Sequence, residues 1–271
     1  VCDVVPLARL NRAFVVKGLK TMTHRHNPGL AALCDVARIS DVVGTYHLGF
    51  MIGPRINAGG RIGDAGLGAR LLTSDDQSEC EAIAQDLEQL NQERQAIEAS
   101  MLEEAIAEAE AEIGTGEGPP VLLGGSDHWH VGVVGLIAAR LKERFNRPAI
   151  AVAFQPNGVG TGSGRSIAGV DLGKAVRGAV ERGIVVKGGG HAMAAGLTVE
   201  RSRFGDLRAF LVDAVGPSVD AARGNHGLAV DAAMTVRSAS VEMIERIERA
   251  GPFGAGHPEP VFAFPAHRIA Y

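Results

Sequence analysis

A chain of 271 residues, 46% hydrophobic and 21% charged, is long enough for two domains that each bury a core. No apolar run reaches the roughly 18 residues that span a bilayer, and "VCDVVPLARLNR" lacks the features of a secretory signal and reads as the interior of a domain, so a soluble protein is expected. The net charge of −4 is unevenly held: residues 75–113 carry 13 Asp and Glu against one Arg, while the rest carries 26 Lys and Arg against 18 Asp and Glu, leaving room for a phosphate-bearing partner.

Residues 1–74 are expected to open on a buried strand and continue into an amphipathic helix at "LAALCDVARI" and a glycine-rich run, "MIGPRINAGGRIGDAGLGARLL". Over 75–113, Ile83, Leu87, Leu90, Ile97 and Met101 recur at helical spacing with no Gly or Pro between them. Ser74 and Gln77 suggest a capping box, and Gly114 supplies a stop. Such a helix runs roughly 55 Å. Its acidic flanks predict a partly solvated rod between two bodies, and its irregular heptads argue against a coiled coil.

After the loop "GTGEGPP", residues 121–215 alternate between strand and helix. The order is strand "VLLGG", helix "GVVGLIAARLKERF", strand "PAIAVAF", a glycine-rich loop, helix "DLGKAVRGAV", the tract "VKGGGHAMAAG", strand "AAGLTVE" and helix "RFGDLRAFLVDAV". That order predicts an α/β domain. A strand at "GLAVDAAMTV", a helix at "VEMIERIERAG" and the start of one or two further strands complete the chain.

Several stretches carry candidate chemistry, each beside a plainer structural reading. In "GTGSGRSIAGVDLGKAV", Gly160, Gly162 and Gly164 would let a ligand approach the backbone, and Ser163, Arg165 and Ser166 would donate to phosphate. A plain glycine turn with a solvated arginine is equally consistent, and Asp171 reads as a helix cap. Arg55, Asn57 and Arg61 flank small residues that could admit a polyanion or mark a break between helices. Gly189 and Gly190 could form an anion-binding nest beside His191, or lead into a buried strand.

Asp3, at an apolar strand end, is either a turn cap or a metal ligand. Asp127, His128 and His130 crowd one loop and are read as surface or packing groups, with Trp129 as packing. His24, His26 and His47 receive no role. Three unspaced cysteines, Cys2, Cys34 and Cys80, fit neither a disulfide framework nor a zinc cluster, and a reducing cytoplasm fits best.

In this order the motifs resemble the RecJ family of single-strand-specific exonucleases, within the DHH phosphoesterase superfamily. "CDVVPLARLNR" resembles the last metal-ligand motif of the DHH domain, and "GPRINAGGRIGDAGLGARLLTSDD" its arginine motif. "HWHVGVVGLIAARLKERFNRPAIAVAF", "GSGRSIAGVDL" and "GGGHAMAAG" resemble parts of the DHH-associated domain, and "GPFGAGHPEPVF" the opening of an OB-type domain. The Gly-Gly-His-Ala tract alone also occurs in oligoribonuclease-like and cyclic-dinucleotide phosphodiesterases and in alanyl-tRNA synthetases. The acidic helix and the Pro-Phe-Gly…Pro-Glu-Pro motif favour the RecJ branch.

The resemblance implies a mixed α/β chain in four parts: the end of a DHH domain over 1–74, a connecting helix over 75–113, a DHH-associated nucleic-acid-binding domain over 114–220, and the beginning of an OB-type domain over 221–271. It implies 5′-to-3′ removal of nucleotides from single-stranded DNA in recombination and repair, with two Mn²⁺ or Mg²⁺ ions activating water. Ser163, Arg165 and Ser166 would grip a phosphate, Arg55, Asn57 and Arg61 would line the passage, and Gly189, Gly190 and His191 would hold the strand.

The implied setting is a cytoplasmic monomer without membrane contact, working with a helicase and a single-strand-binding protein. The family's main metal motifs precede its "CDVVPL" equivalent, and here only Asp3 matches a metal ligand. The chain is therefore expected to be a truncated nuclease that binds DNA but is inactive alone. A non-catalytic single-strand binder and a phosphodiesterase on oligoribonucleotides or cyclic dinucleotides are the alternatives.

Overall fold

In the computed structural model, which describes residues 1–2, 4–224 and 227–268, the chain divides into two units, Val1–Gln92 with Gly227–Tyr271, and Glu93–His226. The first unit begins with four helices: α1 (Arg9–Met22), α2 (Pro28–Val36), α3 (Gly53–Ile62) and α4 (Leu67–Thr73). A π-helical turn, His47–Ile52, leads into α3. Pro28 fits the first turn of α2, where its missing N–H costs nothing, and the Asn27 side chain caps that turn by accepting from the Leu30 N–H at 2.8 Å. Leu33, Ile52 and Leu71 form the core of this unit with Cys80, Ile83 and Leu87 from the start of α5 (Gln77–Ile113).

Two expectations for this region are corrected. Among the described residues none of 4–7 lies in a strand or pairs with a ladder, and Val4 and Val5 are exposed. Apolar content alone does not make a strand without a neighbour to take its hydrogen bonds. Helix α5 ends where expected but begins at Gln77, two residues late, because Asp76 caps it instead of Ser74, accepting from the N–H groups of Ser78 (2.8 Å) and Glu79 (3.1 Å). The Ser74 hydroxyl donates to Glu79 at 2.5 Å. Gly114, at φ +58°, lies just past the last turn, as expected of a helix stop.

The second unit is built on a five-stranded sheet: β1 (Leu122–Ser126), β2 (Ala149–Phe154), β3 (Val159–Arg165), β4 (Lys187–His191) and β5 (Ala194–Glu200). Its spatial order is β1-β2-β3-β5-β4. Strands β1 and β2 are parallel and joined through α6 (Val134–Phe145), and the remaining pairs are antiparallel. Strand β2, "AIAVAF", is buried at every position, as suits a continuous apolar run covered on both faces.

Helices α7 (Leu172–Glu181) and α8 (Phe204–Arg223) cover one sheet face, where Ile150, Val152, Leu172, Val176, Leu197, Leu207 and Leu211 make the core. Asp171 caps α7 as expected, accepting from the Lys174 N–H at 2.8 Å. On α8 the buried residues Leu207, Leu211, Val215 and Val219 recur every four positions, so one stripe faces the sheet.

The chain then returns to the first unit. Only Ala232–Ala233 (β6) of the expected "GLAVDAAMTV" strand enters a ladder, pairing in parallel with Phe262–Ala263 (β7). Between them α9 (Val241–Glu248) is capped by Ser240, which accepts from the Met243 N–H at 3.3 Å. Arg12 fastens this segment to α1 by donating to the carbonyls of Ala250 (2.5 Å), Gly251 (2.6 Å) and Pro252 (3.1 Å).

Candidate functional site

The expected glycine-rich loop around residue 160 is a central strand, β3, whose alternation of small and polar residues sorts onto opposite faces. Gly160, Gly162 and Gly164 face the core, not a ligand. A Cβ on Gly160 would lie 2.6 Å from Val152 Cγ1, one on Gly162 2.9 Å from Val152 Cγ2, and one on Gly164 2.7 Å from Leu172 Cδ2. The glycines leave room for these large side chains, and the other face receives Thr161, Ser163 and Arg165.

The register extends that second face across the sheet. Arg165 pairs with Ala194, Ser163 with Gly196 and Thr161 with Thr198 on β5; these pair in turn with His191, Gly189 and Lys187 on β4. Directly opposed residues share a face, so three rows run across β3, β5 and β4. The first turn of α6 lies against the β3 end of this surface: a Cβ on Gly135 would sit 3.2 Å from Ser163 Oγ and 3.3 Å from Arg165 Nη2. The N–H groups beside Gly135 are taken up locally, Val134 donating to the His130 carbonyl at 3.3 Å and Leu136 to the Val133 carbonyl at 2.8 Å, so this turn meets Ser163 and Arg165 by close packing.

Arg165 is half-buried, and its Nη1 donates to Ser163 Oγ at 3.0 Å and to the Gly164 carbonyl at 2.9 Å. Among the described residues no carboxylate pairs with it. Burial pulls its pKa below the usual arginine value, although an arginine remains charged at any physiological pH. A desolvated cation without a counter-charge, beside a hydroxyl, is suited to an anion.

Ser166 does not share this role. It is buried, and its hydroxyl donates to the Val170 carbonyl at 2.8 Å while its N–H donates to the Met193 carbonyl at 3.0 Å, so it fastens the turn into α7.

The glycines of β4 serve different ends. Gly190 has φ +154°, and a Cβ there would lie 2.2 Å from the Ala194 carbonyl oxygen. A Cβ on Gly188 would meet Val176 Cγ1 at 2.7 Å, and one on Gly173 of α7 would come within 2.6 Å of the Gly190 oxygen. Gly190 and Gly188 therefore permit strand and helix packing, and Arg177 fixes the same backbone by donating to the Gly190 carbonyl at 2.8 Å. Gly189 has open space where a Cβ would go, and His191 is exposed at the strand end. Thr161, Thr198 and Lys187 share this face, and period-two alternation through the glycines is the sequence signal for it.

In the first unit α3 carries Arg55, Asn57 and Arg61. Arg55 is ion-paired with Glu88 and donates to the Met51 carbonyl at 2.7 Å, so its charge is already answered. Asn57 is exposed and Arg61 half-buried one turn later on the same helix face. Gly59 allows a tight turn rather than ligand access, since a Cβ would stand 2.6 Å from the Asp64 oxygen.

Asp3 lies outside the described residues. Among the described residues no three His, Cys, Asp or Glu side chains are grouped to hold a metal. As expected of the "SDHWHVG" loop, Asp127 is ion-paired with Arg201, Trp129 is buried and donates to Glu104 at 2.9 Å, and His130 Nδ1 accepts from the Gly132 N–H at 3.1 Å. The donors among the described residues do not fit a two-ion centre.

Residues 118–216 match the DHHA1 domain family, and residues 230–271 the RecJ OB domain family. The single-stranded-DNA-specific exonucleases RecJ of Dickeya dadantii and Escherichia coli are 40% and 38% identical to the chain, each over 97% of it. The chain spans 46% of the length of each of these relatives. The crystal structure of RecJ from Thermus thermophilus in complex with Mg²⁺ superposes with a TM-score of 0.81 at 28% identity, covering 97% of this chain and 40% of that one. The Mn²⁺ complex of the same protein gives a TM-score of 0.80 at 29% identity, covering 97% and 38%.

Proposed function

Because the chain is a RecJ-type sequence along 97% of its length and contains a DHHA1 domain, we propose that it is the strand-gripping portion of a 5′-to-3′ exonuclease specific for single-stranded DNA, acting in recombination and repair. The observation that carries this reading is Arg165: half-buried, unanswered by any described carboxylate, bonded to Ser163 and set beneath the first turn of α6. A phosphate there would accept from the guanidinium and the hydroxyl. Gly189 and Gly196 leave a floor without side chains for the sugar-phosphate backbone, and His191 stands where it can donate to the next phosphate or stack on a base.

Asn57 and Arg61 offer a second polar surface on α3, with Arg55 acting through its pair to Glu88. When bound, divalent Mn²⁺ or Mg²⁺ in such exonucleases supplies a metal-activated water; this chain's part is to hold the strand. The same reading extends to a helicase and a single-strand-binding protein as co-workers, to a monomer, and to the cytoplasm. No helix among the described residues is long and apolar enough to cross a membrane.

The test is binding of the 271-residue chain to a labelled single-stranded oligodeoxynucleotide and to its blunt duplex across rising salt. The reading expects preference for the single strand, a linear fall of log affinity with log salt, and a loss on Arg165→Ala. Equal affinity for duplex and single strand would exclude it.

A further inference from the structure

The sheet face described above has two ends, and only one holds the Arg165 site. At the other, the third row brings together Thr161 on β3, Thr198 on β5 and Lys187 on β4, paired in register. Lys187 is exposed, and among the described residues it has neither an ion-pair partner nor a side-chain hydrogen bond. Arg201, just past the end of β5, is committed to Asp127. Two hydroxyls and a free ammonium on one face form a phosphate-type donor set separate from Ser163 and Arg165.

We infer that Lys187, Thr198 and Thr161 form a second phosphate subsite, and that its separation from Arg165 makes the surface select oligonucleotides over mono- and dinucleotides. This rests on the proposal that the face binds a single strand. Arg165 to Thr161, and His191 to Lys187, are each four residues apart along extended strands, or about 13 Å. A stacked strand advances about 3.4 Å per nucleotide, so a ligand reaching both ends needs about four nucleotides, or fewer if stretched.

The middle row supports such a path. Gly189 has nothing within 4 Å of a Cβ position, and Gly196 meets only the Gly162 oxygen at 3.9 Å. A backbone can lie flat there between the two cationic ends. A dinucleotide held at Arg165 would fall short of Lys187, whereas a longer strand gains a second charge contact without a new fold element.

Dissociation constants of wild type, Lys187→Ala, Lys187→Arg and Arg165→Ala for 5′-phosphorylated (dT)₂ and (dT)₈ at two salt concentrations test the inference. Lys187→Ala is expected to shrink the octamer-to-dinucleotide affinity ratio about two- to fivefold. It should also flatten the octamer salt slope by about 0.7, and Lys187→Arg should restore both. Arg165→Ala should weaken binding of both lengths. If Lys187→Ala keeps the wild-type ratio and slope while Arg165→Ala weakens both lengths, the second subsite is refuted and the anion site stands. If Arg165→Ala binds both lengths as wild type does, the underlying site itself fails.

Discussion

Arg165 donates to the Ser163 hydroxyl, 3.0 Å away, from the same face of the same strand. Residues two apart on a strand point the same way, so the chain's own geometry pairs a guanidinium with a hydroxyl where no described carboxylate neutralises it. Removing the guanidinium therefore leaves no orphaned acid behind.

Arg165→Ala should accordingly unfold at nearly the wild-type denaturant concentration while binding single-stranded DNA more weakly, with a salt slope reduced by about 0.7. Arg165→Lys should recover little of the loss, because an ammonium cannot reproduce the forked donor geometry. Anisotropy titrations at several salt concentrations, paired with urea melts, measure both. Wild-type affinity in Arg165→Ala would remove it from the site.

Neighbouring glycines of β4 should behave oppositely. Gly190→Ala forces a side chain into the Ala194 carbonyl at a φ that L residues avoid, and should cost about 1–3 kcal/mol of stability. Gly189→Ala meets only open space, so it should fold normally and lose affinity by occupying the floor. Urea denaturation and binding of the two variants separate the roles, and a destabilised Gly189→Ala would contradict this assignment.

Gly162 faces Val152 and Leu197, at 2.9 and 3.0 Å from the position a Cβ would take. Gly162→Val should overpack the core and cost about 1–3 kcal/mol. A reduced thermal midpoint checks it; an unchanged midpoint would mean that this face of β3 has room to spare.

The carboxylate of Asp76 is held below its usual range by the Ser78 hydroxyl and by the N–H groups of Glu79 and Ser78. A depressed folded-state pKa stabilises above the unfolded-state value, and that contribution disappears as pH falls through the folded-state value. Asp76→Ala should therefore lower the thermal midpoint at pH 7, and the gap to wild type should close as the medium is taken below about pH 4. A gap that is constant with pH would assign the loss to something other than the ionised cap.

Local rules made much of the chain legible. Residues 77–113 show helical spacing with no breaker, and Gly114 stops them; "AIAVAF" is apolar throughout; Asp171 is an acid just before a helix. In each case neighbours within one or two turns decide the outcome. The motifs that mark the RecJ likeness are local as well, which is why Arg165, Ser163 and the Gly-Gly-Gly-His tract could be singled out before any fold was known.

What a residue faces is settled by elements distant in the chain, and there the reading failed or stayed open. Gly160, Gly162 and Gly164 clear no path for a ligand, because β2, β5 and α7 supply the side chains that fill the space beside them. The Ser166 hydroxyl goes to the Val170 carbonyl, the Arg55 charge to Glu88, and Val4 and Val5 pair with no strand among the described residues. Sequence alone determined which donors the chain owns and where its helices run, because propensity and capping act over a few residues. Tertiary structure decided which donors remain uncommitted and which of them share a face, because strand pairing and burial join residues far apart in sequence.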